Sequence, residues 1–429
     1  MSTARGSART PRVSAPGGGP AELAYVIHHL DGSGGQERVT LEVARRLSRL
    51  WPVHVYAYAF QDPYEPDGWG EVAFHRIRPR VRQPAGLRSL HFLAAATPLL
   101  AGARRKGRLL HVAGACTVAS DVVQVHFVHT AWMAVRGRLP AAMRRPPRAG
   151  AGGGLRNRLL SSYYDALTRA YMALERMAFT PDKTYLACSR KVAAELEEHF
   201  GLQGQVRVIH HGVDTGEFRP CAGPEDLSGR ERLRRQLGVL PEEVVALFAG
   251  AYDRKGLHAA IGAVGGLAPA ARRRVRLVAL GQGHRGRFLE EARRAGCEDR
   301  ILLLPPAAGL APYFRAADLL LFPTLYEPFG MVIIEALACG LPCVVSRQAG
   351  AAELIAHGGE GILLDDPSDR EEIAAGLQSL VLDDTARFRM GEAARRAVGD
   401  RTWDRVAGEH AEALAPLLQA RGARAVRSS

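Results

Sequence analysis

The sequence predicts an α/β protein made of two Rossmann-like halves, and three observations carry that expectation. Short, mainly apolar runs recur along the chain, as at 23–28, 53–59, 244–250 and 275–280. Helical apolar spacing fills the intervals, as at Val39, Val43, Leu47 and Leu50. A turn-rich stretch, 212–229, with Pro220, Gly223 and Pro224, separates two such series. Strands alternating with helices imply a parallel sheet covered on both faces. Two series imply two sheets facing across a cleft, with functional residues just beyond the carboxyl ends of the strands.

In order, residues 1–21 hold Gly, Pro, Ser and Arg with nothing to pack, and are expected to form a disordered basic tail. The first domain is expected over 22–215. It opens with a strand at 23–28, a glycine-rich turn DGSGG at 31–35 and a helix at 38–50. Strands at 53–59, 109–112 and 122–125 follow. An arginine-rich loop at 135–157, containing Gly152, Gly153 and Gly154, interrupts the pattern before an amphipathic helix at 159–179. The rhythm resumes with a strand at 184–188, a helix at 190–200 and a strand at 206–210. The second domain, 216–402, places strands at 244–250, 275–280, 301–304, 319–322 and 343–346. A C-terminal helix at 403–420 is expected to cross back to the first domain, and 421–429 forms a second basic tail.

Composition excludes several classes. The chain has 429 residues, 47% hydrophobic and 24% charged, which argues against dominant disorder, collagen-like repetition or a coiled-coil rod. Its net charge of +13 is localised. Arg5, Arg9 and Arg12 lie in one tail, and Arg421, Arg424 and Arg427 in the other. Arg136, Arg138, Arg144, Arg145, Arg148, Arg156 and Arg158 lie between 122 and 164, without an acid or a Lys. A nucleic-acid-binding protein carries its basic residues on one folded face, so no nucleic acid is expected. An anionic membrane surface or acidic glycolipid, met by the Arg136–Arg158 stretch, fits better. Cys116, Cys188, Cys221, Cys297, Cys339 and Cys343 lack CxxC spacing, so neither zinc nor a disulfide framework is expected and a reducing cytoplasm fits. The apolar run 91–103 is short and interrupted by Pro98, so the expectation is no signal peptide or spanning helix and, at most, peripheral contact with the inner face of the membrane.

The most informative stretch is 319–346, LLLFPTLYEPFGMVIIEALACGLPCVVS. A buried strand ends in a loop holding Glu327, a helix begins near Gly330, and Glu335 lies one turn inside it. Amides of Phe329, Gly330 and Met331 at the helix start suit an anion. Two carboxylates eight residues apart flank that anion site, and each can accept hydrogen bonds from vicinal hydroxyls. A ligand with two polyol ends joined by phosphate matches, and a sugar nucleotide is such a ligand.

This Glu-Pro-Phe-Gly segment with its second Glu resembles the signature of retaining GT-B glycosyltransferases of the family 4 type. Gly34-Gly35 followed by Glu37-Arg38 resembles that family's N-terminal glycine loop, and VIHHGVDTGEFRP at 208–220 its interdomain segment. FAGAYDRKG at 248–256 resembles the loop whose basic residue holds the donor diphosphate, and Gly350 with Glu353 resembles the turn and helix closing the donor site. That diphosphate loop usually has Arg directly after the glycine and Lys five residues later. Here Ala251 follows Gly250, and the basic pair is Arg254-Lys255, a shorter form closest to lipopolysaccharide core glucosyltransferases.

By resemblance, Lys255 and Arg254 hold the diphosphate, Glu335 binds the ribose and Glu327 lies near the donor sugar. Phe329, Gly330 and Met331 complete the cradle, and Gly34 and Gly35 let backbone approach the phosphates. Family members carry a cleft-facing histidine after an N-domain strand, and in DVVQVHFVHTAW this is His126, with His129 the alternative. His210, His211 and His284 read as structural or solvent-facing. The absence of an Asp-x-Asp motif near the cleft predicts metal-independent chemistry without a cofactor, and Asp365-Asp366 reads as a surface turn. The resemblance implies transfer of a hexose from a nucleotide-diphosphate sugar, UDP-glucose first, to a glycolipid, lipopolysaccharide or polysaccharide. A GT-B sugar-nucleotide epimerase is the alternative enzyme. A nucleic-acid-binding or non-enzymatic carbohydrate-binding protein is the alternative of another class.

Overall fold

The computed structural model describes residues 22–30, 34–60, 69–78, 85–138, 155–307 and 309–427. The expected tail 1–21 and residues 139–154 of the expected arginine loop lie outside the described residues. The first half holds β1 (Leu23–Val26), β2 (His29–Leu30), β3 (Val53–Ala57), β4 (Ala59–Phe60), β5 (Val72–Arg76), β6 (Leu109–Ala113), β7 (Val122–Val125), β8 (Thr184–Ala187) and β9 (Val206–Val208). The second holds β10 (Val244–Ala249), β11 (Val275–Leu280), β12 (Ile301–Leu304), β13 (Leu319–Phe322), β14 (Cys343–Ser346) and β15 (Gly361–Leu364).

One sheet has the order β5-β3-β1-β6-β7-β8-β9 and the other β12-β11-β10-β13-β14-β15, while β2 and β4 form a small separate pair. Pairing is parallel, with Leu23 opposite Val53 and Leu109 in the first sheet and Val244 opposite Val275 in the second. Both orders reverse direction beside their first strand, at β1/β6 and β10/β13. The loops leaving β10 and β13 therefore flank a topological switch point, where open α/β sheets take ligands. All six residues of β10 are buried, and Phe248, Leu277 and Leu321 share one apolar core with Leu257, Ile261 and Phe288 from the covering helices.

By packing density the chain forms two compact units. One comprises Met1–Gln124, Met177–Tyr185 and Val406–Ser429, and the other Val125–Arg176 and Leu186–Arg405. This grouping differs from a single break at 215/216, because 125–176 and 186–215 join the unit of the second sheet.

Two expectations about loops and tails are corrected. Both ends of the expected loop 135–157 are helical: one helix runs His129–Arg138, and the next begins at Leu155 and ends at Ala178. Glu175, only 1% exposed, accepts from the amides of His129 and Thr130 and so satisfies the start of the earlier helix. The C-terminal helix runs Trp403–Arg427, so most of the expected tail 421–429 is helical. Within the first unit, Arg421 reaches Asp121 at 3.0 Å, beside Arg104 at 2.8 Å from the same oxygen. The apolar run 91–103 lies inside a helix, Ala85–Arg105, that includes Pro98. Among the described residues no helix is long and apolar enough to cross a membrane.

Candidate active site

The site is built by two loops of the second unit. After β10 the chain turns at Gly250, with φ +131°, crosses 251–255, and enters the helix Leu257–Gly266 through Gly256, with φ +82°. A Cβ on Gly256 would stand 1.9 Å from the Pro323 carbonyl oxygen, so conformation and space both demand glycine. Tyr252 anchors the loop by donating its hydroxyl to Leu304 O at 2.8 Å, while its amide donates to Gln282 O at 2.9 Å. Asp253 Oδ1 accepts from Arg287 Nη1 at 2.7 Å. The Arg254 carbonyl accepts from Leu325 N at 3.2 Å and from Thr324 Oγ1 at 3.3 Å. These contacts tie the loop to the one leaving β13.

That arrangement holds Arg254 and Lys255 over Glu327. The Lys255 ammonium lies directly against Glu327 Oε2, and Arg254 Nη1 is 3.7 Å from the same oxygen. Arg254 also donates to Tyr326 O at 3.3 Å. Burial, and then the neighbouring Arg254 charge, pushes Lys255 well below the ordinary lysine range. Burial also lowers Arg254. Two cations thus share one carboxylate in a largely desolvated place, and an entering anion gains both.

The loop after β13 is equally constrained. Glu327 N donates to Gln348 O at 3.1 Å, Gly350 N to Glu327 O at 3.0 Å, and Ala351 N to Phe329 O at 2.8 Å. Gly350 fits because a Cβ there would be 2.0 Å from Pro328 O, which also accepts from Ser189 Oγ at 2.7 Å. Gly330, with φ +100°, precedes the helix Met331–Ala338, whose first amides have no carbonyl of their own helix to meet. Glu335 lies within that helix, 3% exposed. The structure therefore brings Arg254, Lys255, Glu327, Phe329, Gly330, Met331 and Glu335 onto two adjoining loops and one helix.

The histidines lie in different surroundings. His126 follows β7, with its ring 5.2 Å from that of His211, which packs 4.5 Å from Phe329. His129 Nδ1 is 2.9 Å from Glu175 Oε1, and its ring stacks on Tyr171 at 4.6 Å. His210 pairs with Glu353 at 2.8 Å, and His284 accepts from Arg287 N at the start of a helix. Glu353 also accepts from Arg190 N and Lys191 N. Burial raises Glu353, but the His210 hydrogen bond and the two amides outweigh it, leaving the carboxyl below its usual range. Gly34 and Gly35 lie at the start of the helix Gly35–Leu47 in the other unit, where a Cβ on Gly34 would be 2.3 Å from Glu37 Oε2.

Sequence reasoning missed Tyr326 and Glu175. Fully buried, Tyr326 donates to Glu195 Oε2 at 2.9 Å, with Val128 O 3.2 Å from the same hydroxyl, tying the loop after β13 to the helix Arg190–Phe200 and to the segment after β7. Its place just before Glu327 was the available signal. Glu175 lies forty-six residues from His129, and no local pattern announces such a partnership. Among the described residues no three His, Cys, Asp or Glu side chains gather as a metal site. Asp365 pairs with Arg347 at 2.5 Å and Asp366 with Ser368 at a bend.

Two family models divide the chain: residues 33–217 match Glycosyltransferase Family 4 and residues 229–397 match Glycosyl transferases group 1. The chain belongs to these glycosyltransferases. Among the relatives of this family member is a D-inositol 3-phosphate glycosyltransferase of Xylanimonas cellulosilytica, 32% identical over 262 residues, which are 58% of this chain and 61% of that one. Another of that name, from Streptomyces bingchenggensis, is 32% identical over 259 residues, covering 57% and 54%. The chain thus spans between half and two thirds of the length of the curated relatives it matches. WaaG, a glycosyltransferase involved in lipopolysaccharide biosynthesis, superposes with a TM-score of 0.72 at 20% identity, covering 91% of this chain and 98% of WaaG. HepE of Anabaena, solved with UDP-glucose, gives 0.66 at 19% identity, covering 92% and 99%. The fold shared with these structures is GT-B.

Proposed function

We propose that the protein is a metal-independent, retaining hexosyltransferase that uses a nucleotide-diphosphate sugar. The observation that carries this reading is the placing of Lys255 and Arg254 against Glu327 at the start of the Met331–Ala338 helix. Helix-start amides and two cations form a diphosphate cradle, while Glu327 and Glu335 supply hydroxyl acceptors on either side of it. UDP-glucose is the first donor to try, a choice supported by HepE having been solved with that molecule.

In the transfer, the acceptor oxygen bonds to the anomeric carbon as the bond to the diphosphate breaks; that bond's electron pair leaves with the diphosphate, whose freed oxygen takes the acceptor's proton. Lys255, Arg254 and the amides near Gly330 stabilise that growing charge, a task that needs no metal ion. Glu327 orients the donor sugar, Glu335 holds the ribose, and His126 or His129 faces the sugar from the segment after β7. Gly34 and Gly35 leave room for the donor phosphates. The acceptor is a glycan or glycolipid, and the Arg136–Arg158 stretch attracts an anionic membrane from the cytoplasmic side. Salt-sensitive flotation with anionic liposomes supports that attraction, and flotation indifferent to lipid charge contradicts it.

The test of transfer is product formation from UDP-glucose in EDTA, with the anomeric configuration read by NMR. The reading requires retention, and it requires Lys255→Ala to lose about 10²–10³ in turnover. Inversion of configuration, or near-normal turnover in the variant, refutes it.

A further inference from the structure

A cavity of about 370 Å³ adjoins the loop that carries Arg254, a volume within the ~300–1,000 Å³ usual for small-molecule sites. One side is aromatic, formed by Phe127, Trp132, Tyr164 and Tyr171, and the other is formed by the 251–254 loop with Gln282 and Leu325. The aromatic side is rigid: Phe127 packs edge-on to His129 at 4.8 Å and to Tyr326 at 5.3 Å, and Tyr171 stacks on His129 with the planes 11° apart.

His129 has its orientation fixed from behind. Besides meeting His129 Nδ1, the Glu175 carboxylate accepts from the amides of His129 at 2.6 Å and Thr130 at 3.0 Å, and from Thr130 Oγ1 at 2.9 Å. In the neutral form of the ring, a carboxylate that accepts all of these holds the proton on Nδ1 and leaves Nε2 as the acceptor. Each cation at the cavity faces a carboxylate. Arg136 Nη1 lies 2.6 Å from Asp165 Oδ1, and Arg254 belongs to the Glu327 cluster.

We propose that this cavity receives the acceptor as a single uncharged sugar or cyclitol ring. Its C–H face lies on Tyr171 and Trp132, and its reacting hydroxyl donates to His129 Nε2. Aromatic faces take the apolar side of such a ring at little entropic cost, because the side chains are already ordered. A phosphorylated ring would have to share Arg136 with Asp165, whereas an uncharged ring enters without competing for either cation. This assignment rests on the glycosyl-transfer reading and narrows it to a neutral acceptor, although the relatives of 32% identity carry the name of an inositol phosphate enzyme.

The test offers methyl glucoside, methyl mannoside, myo-inositol, its monophosphate, glucose 6-phosphate and 4-nitrophenol as acceptors, with UDP-glucose as donor. Donor binding and hydrolysis of the donor without acceptor are read in the same samples. A neutral ring should be at least tenfold better in kcat/KM than its phosphorylated form and than the phenol. Tyr171→Ala should raise the acceptor KM about tenfold with donor KM unchanged, and Tyr171→Phe should restore it. If the Ala variant fails to fold, Trp132→Ala takes its place with the same expectation. Preference for a phosphorylated ring or a phenol, or an acceptor KM indifferent to the aromatic wall, overturns the assignment while leaving donor use intact. Failure of the wild type to bind any nucleotide sugar overturns the transfer reading itself, and this assignment with it.

Discussion

In the proposed transfer Lys255 is the residue on which the chemistry turns, and its surroundings make its charge conditional. Burial and the adjacent Arg254 depress its pKa, whereas a bound diphosphate would raise it. Binding in the window between those two values is accompanied by proton uptake, so nucleoside diphosphate affinity should weaken as pH rises through it. Titration calorimetry with UDP at pH 7.5 and pH 9.5 should give weaker binding at the higher pH, and buffers of different ionisation enthalpy should reveal the proton taken up. Equal affinity with no proton uptake would mean that Lys255 is already fully charged in the free protein. Arg254 serves as the internal comparison: it remains protonated throughout, so Arg254→Lys should weaken UDP binding at both pH values.

At the scale of the element, the 250–256 loop is held by side chains that lie outside the proposed diphosphate cradle. Arg287 bridges Asp253 at 2.7 Å and Glu291 at 3.1 Å; Glu291 accepts from His258 Nδ1 at 2.7 Å, and His258 Nε2 accepts from Arg370 at 2.7 Å. The chain of contacts fixes Asp253, and through it the approach of Arg254 and Lys255. Arg287→Ala should weaken UDP binding about tenfold while leaving uridine binding nearly unchanged, because only the phosphate cradle is displaced. Asp253→Asn should do the same, and the double variant should be little worse than either. An equal loss for uridine would show a general loosening of the domain instead.

This scale also separates what was legible in the sequence from what was not. Strands β7, β11, β12, β13 and β14 have the same bounds in sequence and structure, since each is a short apolar run bounded by polar or turn residues. Strand β5 escaped because Val72–Arg76 has only half-buried and exposed residues at a sheet edge, and β15 because Gly361 opens it. In the site, the segment from Glu327 to Glu335 declared itself through spacing. Tyr326, Arg287 and Glu175 did not, since Val128, Asp253 and His129, the partners that give them their place in the site, are 198, 34 and 46 residues away along the chain. The helix His129–Arg138 has no local start signal in the sequence, because its first amides are met by Glu175 of a later helix, and its last turn falls in the stretch expected as loop.

Over the whole molecule, partly buried histidines contribute to how the fold responds to acid. Burial, followed by the charges of His29 and Arg88, lowers His28 to about 4. His54 and His75, with ring nitrogens 2.9 Å apart, are also lowered, chiefly by burial. A folded-state pKa below the unfolded value means that the unfolded chain takes up the proton first. The stabilising contribution is therefore complete above pH 6.5 and is lost as pH falls towards 4. For His28 the full loss approaches ~3 kcal/mol, from about 1.4 kcal/mol per pKa unit. Urea unfolding at pH 7.5 and pH 5 should show lower stability at pH 5, and His28→Gln should flatten that dependence. An unaltered slope in the variant would assign the acid sensitivity to other groups.

Two GT-B halves, a cationic pair on Glu327 and a buried Glu335 together make donor recognition the claim on which the functional reading depends. The most direct measurement is thermal unfolding in EDTA with UDP-, GDP-, ADP- and dTDP-glucose, for wild type and Glu335→Ala. A ligand at 100 times its Kd adds about 2.7 kcal/mol to the folded state, enough for a clear rise in Tm. One nucleotide sugar, UDP-glucose first, should raise Tm selectively, and the rise should shrink or vanish in Glu335→Ala. A wild type indifferent to all four sugars, or a shift of equal size in the variant, would contradict the donor site described for Lys255, Glu327 and Glu335.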